Sequence, residues 1–136
     1  MRKKLVLKIG TSTLTNATRL ISRGKIEDIG RQILELRDDY DIVLVSSGAI
    51  AAAKQYINIK DAGKPIASKQ AMAAIGQPLL MRTYNEVFGD LGIQTAQCLM
   101  TYRDFENESS CRNTLNTIGE LLKFSYLPIV NENDTT

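Results

Sequence analysis

The chain has 136 residues, 43% of them hydrophobic, enough for one compact domain with its own core or for part of a larger one. Its 17 basic and 15 acidic residues leave a formal charge of +2, and no Lys/Arg block interleaves with aromatics, which argues against a nucleic-acid partner. Cys98 and Cys111 are too far apart for a CxxC pair and histidine is absent; this excludes a Cys/His zinc set and suits reduced thiols in a cytosolic protein.

The N-terminal Met1-Arg2-Lys3-Lys4 precedes Leu5-Val6-Leu7, but Lys8 interrupts the apolar run far short of a secretory signal. No segment approaches the ~18 apolar residues of a membrane span. The first strand is expected from Leu5 to Ile9, closing at Gly10-Thr11-Ser12-Thr13. Asn16 and Ser22 mark a loop, and Ile26, Ile29, Ile33, Leu34 and Leu36 give a helix from about Gly24 to Asp38 one apolar face. Ile42-Val43-Leu44-Val45 is apolar at every position, as a strand covered on both faces should be, and closes at Ser46-Ser47-Gly48. Ala49, Ala51, Ala52 and Ala53 then favour a helix strongly.

Residues Asn58 to Pro65 read as an exposed loop. From Ser68 to about Phe88 the pattern is helical, with Met72, Ile75, Leu79 and Leu80 as its expected buried side, and Pro78 either starts a second helix or kinks one long one. A third strand spans about Ile93 to Met100 and ends at Thr101; a helix from roughly Arg112 to Phe124 leads to a fourth strand, Leu127 to Val130. Strands alternating with helices predict a mainly parallel sheet with right-handed crossovers, in a three-layer α/β/α sandwich. Every polar motif then falls at the carboxyl ends of the strands, where open α/β sheets bind ligands.

Each motif carries a functional and an ordinary reading. Lys8, beside Gly10-Thr11-Ser12, suits an ammonium aimed at a transferring phosphoryl group over a loop that phosphate can approach closely, although it matches neither GxxxxGK[ST] nor GxGxxG. A solvated lysine at a strand end is the ordinary alternative. Ser47-Gly48-Ala49 at a helix start suits a carboxylate or phosphate through free N–H groups and the helix dipole, and equally suits a simple N-cap. Asn131, Asn133 and Asp134 follow a buried strand with no glycine among them, which fits a polar site better than a turn. Arg103 and Asp104 after the third strand are expected to pair on the surface, and Cys98 to pack in the core.

Taken in order, KIGTS (Lys8 to Ser12), VSSGAIAA (Val45 to Ala52), SKQAMAAIGQPLLM (Ser68 to Met81) and PIVNENDT (Pro128 to Thr135) resemble the amino acid kinase family, and the likeness runs through essentially the whole chain. Within it, Gly10-Thr11 and Ser46-Ser47-Gly48 look most like the branch that phosphorylates the γ-carboxylate of glutamate with ATP in proline synthesis, and less like acetylglutamate or uridylate kinases. The resemblance implies Lys8 as the transition-state-stabilising lysine and Gly10, Thr11 and Ser12 as phosphate contacts. It implies glutamate at Ser47, Gly48, Ala49, Asn131, Asn133 and Asp134, and no metal ligand in this segment. It further implies ATP and Mg²⁺ held mainly by a nucleotide-binding half beyond residue 136, so that residues 1–136 are the N-terminal part of a single kinase domain. Self-association and feedback by proline come with the family. Ala53-Lys54 departs from it, since glycine is frequent there.

The missing histidine agrees with that chemistry. A carboxylate nucleophile with pKa near ~4.3 is ionised at neutral pH and needs no general base, so catalysis rests on positioning and on cationic stabilisation of phosphoryl oxygens. The alternatives are a non-catalytic module that binds glutamate or proline, and a purely structural fragment of an oligomer.

Overall fold

Four strands, β1 (Lys3–Ile9), β2 (Tyr40–Ser46), β3 (Thr95–Met100) and β4 (Leu127–Glu132), pair in parallel in the spatial order β1-β2-β4-β3. The computed structural model describes residues 2–57 and 65–132. Six helices connect the strands in those residues: α1 (Thr11–Leu14), α2 (Arg23–Leu36), α3 (Ala49–Lys54), α4 (Pro65–Asp90), α5 (Tyr102–Glu106) and α6 (Glu108–Lys123).

The expected three layers are present. Leu5, Leu7, Ile42, Leu44 and Ile129 belong to one core with Ile26 and Ile33 of α2 and Leu80, Tyr84 and Phe88 of α4. On the opposite face, Val43, Val45 and Val130 line a groove of about 400 Å³ with Leu115 and Ile118 of α6 and Phe105 of α5. The alternation of strand side chains produces this split: Ile42 and Leu44 are buried while Val43 and Val45 are half-buried. Among the described residues, no helix is long and apolar enough to cross a membrane.

Several expectations shift. The strand carrying Lys8 lies at an edge of the described sheet, and Lys4, Val6 and Lys8 on one of its faces are exposed, so it is half-covered rather than buried. Element α4 is one helix running through Pro78, and Ile75 is 43% exposed because the stripe facing the core is set by Met72, Ala73, Leu80, Met81 and Tyr84. Helix α6 begins earlier than expected because Asn107 accepts from the N–H groups of Ser109 and Ser110, capping it at Glu108. The short α1 and α5 escape periodicity altogether, being too brief to repeat a pattern. The loop expected at Asn58 to Pro65 lies outside the described residues up to Lys64, and Pro65 opens α4.

Candidate functional site

Because all four strands run the same way, the segments after β1 and β2 and the last residues of β4 meet at one edge of the sheet. The register fixes the row: Ile9 pairs with Ser46 and Leu99 with Asn131. Gly10, Thr11 and Ser12, then Ser47 and Gly48, and then Asn131 therefore share that edge, as the sequence predicts. Asn133 and Asp134 fall outside the described residues.

Lys8 is exposed, one residue before the end of β1, and forms no ion pair among the described residues. Gly10 follows with φ −81 and ψ 165, and a Cβ built on it meets nothing within 4 Å. Among the described residues, neither backbone strain nor crowding requires glycine there, and the backbone is open to close approach. Thr11 and Ser12 form the exposed first residues of α1.

Ser47 is tied to the first loop. Its N–H donates to the Ile9 carbonyl at 3.1 Å, and its hydroxyl lies 3.1 Å from that of Thr11. It does not cap α3: the N-cap is Gly48, with no side-chain cap bond, so the ordinary reading of the serine falls away. The expected helix-dipole contribution is correspondingly small, since α3 has only six residues. Gly48 sits at φ 113, a conformation other residues adopt only under strain, and its Cβ would lie 3.2 Å from Leu14. Behind this loop α4 touches α3 backbone to backbone, because a Cβ on Gly76 would sit 1.5 Å from the Ala49 carbonyl oxygen.

Two side chains of α4 reach under the site. The Tyr84 and Ser46 hydroxyls are 2.6 Å apart, and Ser46 donates to the Ser47 carbonyl at 2.9 Å, so α4 is linked to the second loop. Burial pushes the Tyr84 phenol up to about 12, against an opposing hydrogen bond from Ser46. Seven residues earlier, about two full turns back on the same stripe, Gln77 accepts from Asn131 Nδ2 at 3.0 Å. Asn131 is 2% exposed. Asn131 Oδ1 and Gln77 Nε2 are both buried without a partner among the described residues.

Gln77, Tyr84 and Gly76 were not among the sequence candidates. The available signal was a polar residue seven positions before a tyrosine on an otherwise apolar stripe, a spacing that returns to the same helix face. Asp104 does not pair with Arg103; its carboxylate accepts from the Thr101 N–H at 2.7 Å and completes a capping box on α5. Cys98 is half-buried, and burial raises its thiol pKa. Among the described residues no three His, Cys, Asp or Glu side chains converge as a metal site.

A sequence model described as the amino acid kinase family matches residues 3–136. Glutamate 5-kinase of Helicobacter hepaticus is 42% identical over 134 residues, covering 98% of this chain and 50% of that protein. The enzyme of the same name from Clostridium acetobutylicum is 43% identical, again over 98% of this chain and 50% of its own length. That of Halalkalibacterium halodurans is 42% identical over 99% of this chain and 36% of its own. The chain thus spans about half the length, or less, of these curated relatives. Among solved structures, UMP kinase from Ureaplasma parvum superposes with a TM-score of 0.65 at 18% identity, over 96% of this chain and 56% of that one, which establishes a shared fold.

Proposed function

The chain belongs to the amino acid kinase family, and from that premise we propose that residues 1–136 form the N-terminal, substrate-binding part of a glutamate 5-kinase domain. Its reaction is transfer of the ATP γ-phosphoryl group to the γ-carboxylate of glutamate. The observation that carries this reading is the convergence at one sheet edge of a lysine without an ion pair and a glycine without crowding among the described residues, the Thr11–Ser47 hydroxyl pair and Asn131. The names of the relatives supply the choice of glutamate.

Each residue has a task in that reaction. Lys8 faces negative charge that builds on the phosphoryl oxygens as nucleophile and phosphate approach. Gly10, Thr11 and Ser12 let those oxygens come close to backbone N–H groups. Ser47, Gly48 and Ala49 hold the glutamate carboxylate, Ser47 through a hydroxyl whose position the Thr11 contact restrains. Asn131 meets the amino-acid end, and Asn133 and Asp134 are assigned to glutamate by the family resemblance alone. No residue need remove a proton, because the nucleophile is already an anion. These groups fit a nucleotide's terminal phosphate; Mg²⁺, carried on ATP, supplies charge neutralisation between the phosphates. The free thiols of Cys98 and Cys111 suit a reducing compartment.

Calorimetry with glutamate, with and without Mg-ATP, on a protein that carries the whole kinase domain, together with an assay for ADP release, tests the reading. Glutamate heat that depends on nucleotide supports the kinase site. Glutamate heat with no nucleotide dependence and no ADP favours a binding module. In the product of the complete gene, Lys8→Ala should lower kcat by about 100-fold or more while changing KM for glutamate little. An unchanged kcat removes Lys8 from the mechanism.

A further inference from the structure

The buried contact between α4 and β4 is chemically incomplete. Asn131 Nδ2 donates to Gln77 Oε1 at 3.0 Å, which leaves Asn131 Oδ1 and Gln77 Nε2 with no partner among the described residues although both atoms are buried. Exchanging oxygen and nitrogen in both amides reverses the bond and again leaves one acceptor and one donor over. Buried polar atoms are almost always satisfied, so a pair left short of one donor and one acceptor matches a ligand that brings both. Asn131 is 2% exposed and sits at the carboxyl end of β4, in the site just described.

An amino acid's head group has that character: the α-ammonium donates and the α-carboxylate accepts. We propose that Gln77 is a specificity-determining positioning residue, which holds Asn131 so that the amide pair reads the zwitterionic head of the substrate. This rests on the glutamate reading above and adds to it the residue that sets head-group preference. The neighbouring Gly76 packs α4 closely against the Ala49 carbonyl of α3.

The test compares L-glutamate with glutarate, which has both chain carboxylates and no ammonium, by calorimetry on a protein that carries the whole kinase domain, with thermal melts run in parallel to confirm folding. The wild-type protein should prefer glutamate by about tenfold or more. In Gln77→Leu, where Asn131 loses its anchor, the preference should fall toward one. Gln77→Glu still accepts from Asn131 Nδ2, so it should keep the preference, but both ligands should bind about tenfold or more weakly because a donor to their α-carboxylate has become an anion. A purely structural role would weaken both ligands alike in Gln77→Leu and leave the ratio intact, and that result overturns the inference while the glutamate reading stands. Glutamate affinity unchanged in Gln77→Glu overturns it as well. Binding of neither ligand by the wild-type protein overturns both readings.

Discussion

Gly76→Ala sets two physical effects against each other with opposite signs. Residue 76 lies well inside α4, and helix propensity alone makes alanine better there by about 1 kcal/mol. Geometry says otherwise. The new methyl carbon would lie 1.5 Å from the Ala49 carbonyl oxygen, 2.5 Å from its carbon and 3.1 Å from the Ala53 nitrogen, all of them backbone atoms that no rotamer change can move. Restoring ordinary contact requires α3 and α4 to separate by roughly 2 Å, which opens voids along their shared apolar surface. Overpacking of this kind outweighs the propensity gain, for a net loss of about 3 kcal/mol or more. Gly119→Ala is the control: it lies inside α6 with nothing within 4 Å, so the same substitution should stabilise by about 0.5–1 kcal/mol. Urea denaturation followed by circular dichroism reads both, with the Gly76→Ala midpoint expected to drop by roughly 1–2 M and that of Gly119→Ala to rise. Because Ala49 must move, Gly76→Ala should also weaken glutamate binding. A Gly76→Ala midpoint at or above wild type would refute the backbone contact and the account of how α4 backs the site.

Tyr84 predicts an alkaline instability: its folded pKa of about 12 lies above the ordinary 10.0, so its contribution is fully present below pH 10 and is lost as pH rises through about 12. The two-unit gap amounts to about 2–3 kcal/mol, and urea midpoints between pH 8 and 12 should fall less steeply in Tyr84→Phe than in wild type; equal slopes would assign the loss to other groups. Gly48→Ala forces a Cβ onto φ 113 and to within 3.2 Å of Leu14, and should cost about 1–2 kcal/mol in the same denaturation assay, whereas no loss would mean the loop relaxes freely. Asn107→Ala removes the acceptor for two N–H groups of α6 and should lower stability by about 1 kcal/mol, with Asn107→Asp restoring it; an alanine variant as stable as wild type would show that water replaces the cap.

The order of elements was open to reading because each depends on short-range pattern. Ile42 to Val45 is apolar without interruption, the alanines from 49 to 53 favour helix, and small polar residues punctuate each strand. Boundaries moved where a single side chain decided them: Asn107 starts α6 earlier than the apolar period does, and Ser22 caps α2 at Arg23 through the Lys25 N–H. For the site, Ser47 was legible as a polar residue after a strand but ambiguous in role. Its hydroxyl bonds Thr11, from a loop 36 residues away, and no local pattern contains that contact.

The sequence by itself determined the alternation of strand and helix, the parallel sheet that follows from it, and hence the edge at which Lys8, Gly10, Ser47 and Asn131 gather. These depend on propensity, period and chain direction, which are properties of neighbouring residues. Tertiary structure alone decided that Gln77 holds Asn131, that Tyr84 anchors Ser46, and that Gly76 exists to admit the Ala49 carbonyl. Those contacts join residues tens of positions apart, and they arise only when close packing brings two elements to within hydrogen-bonding or van der Waals distance.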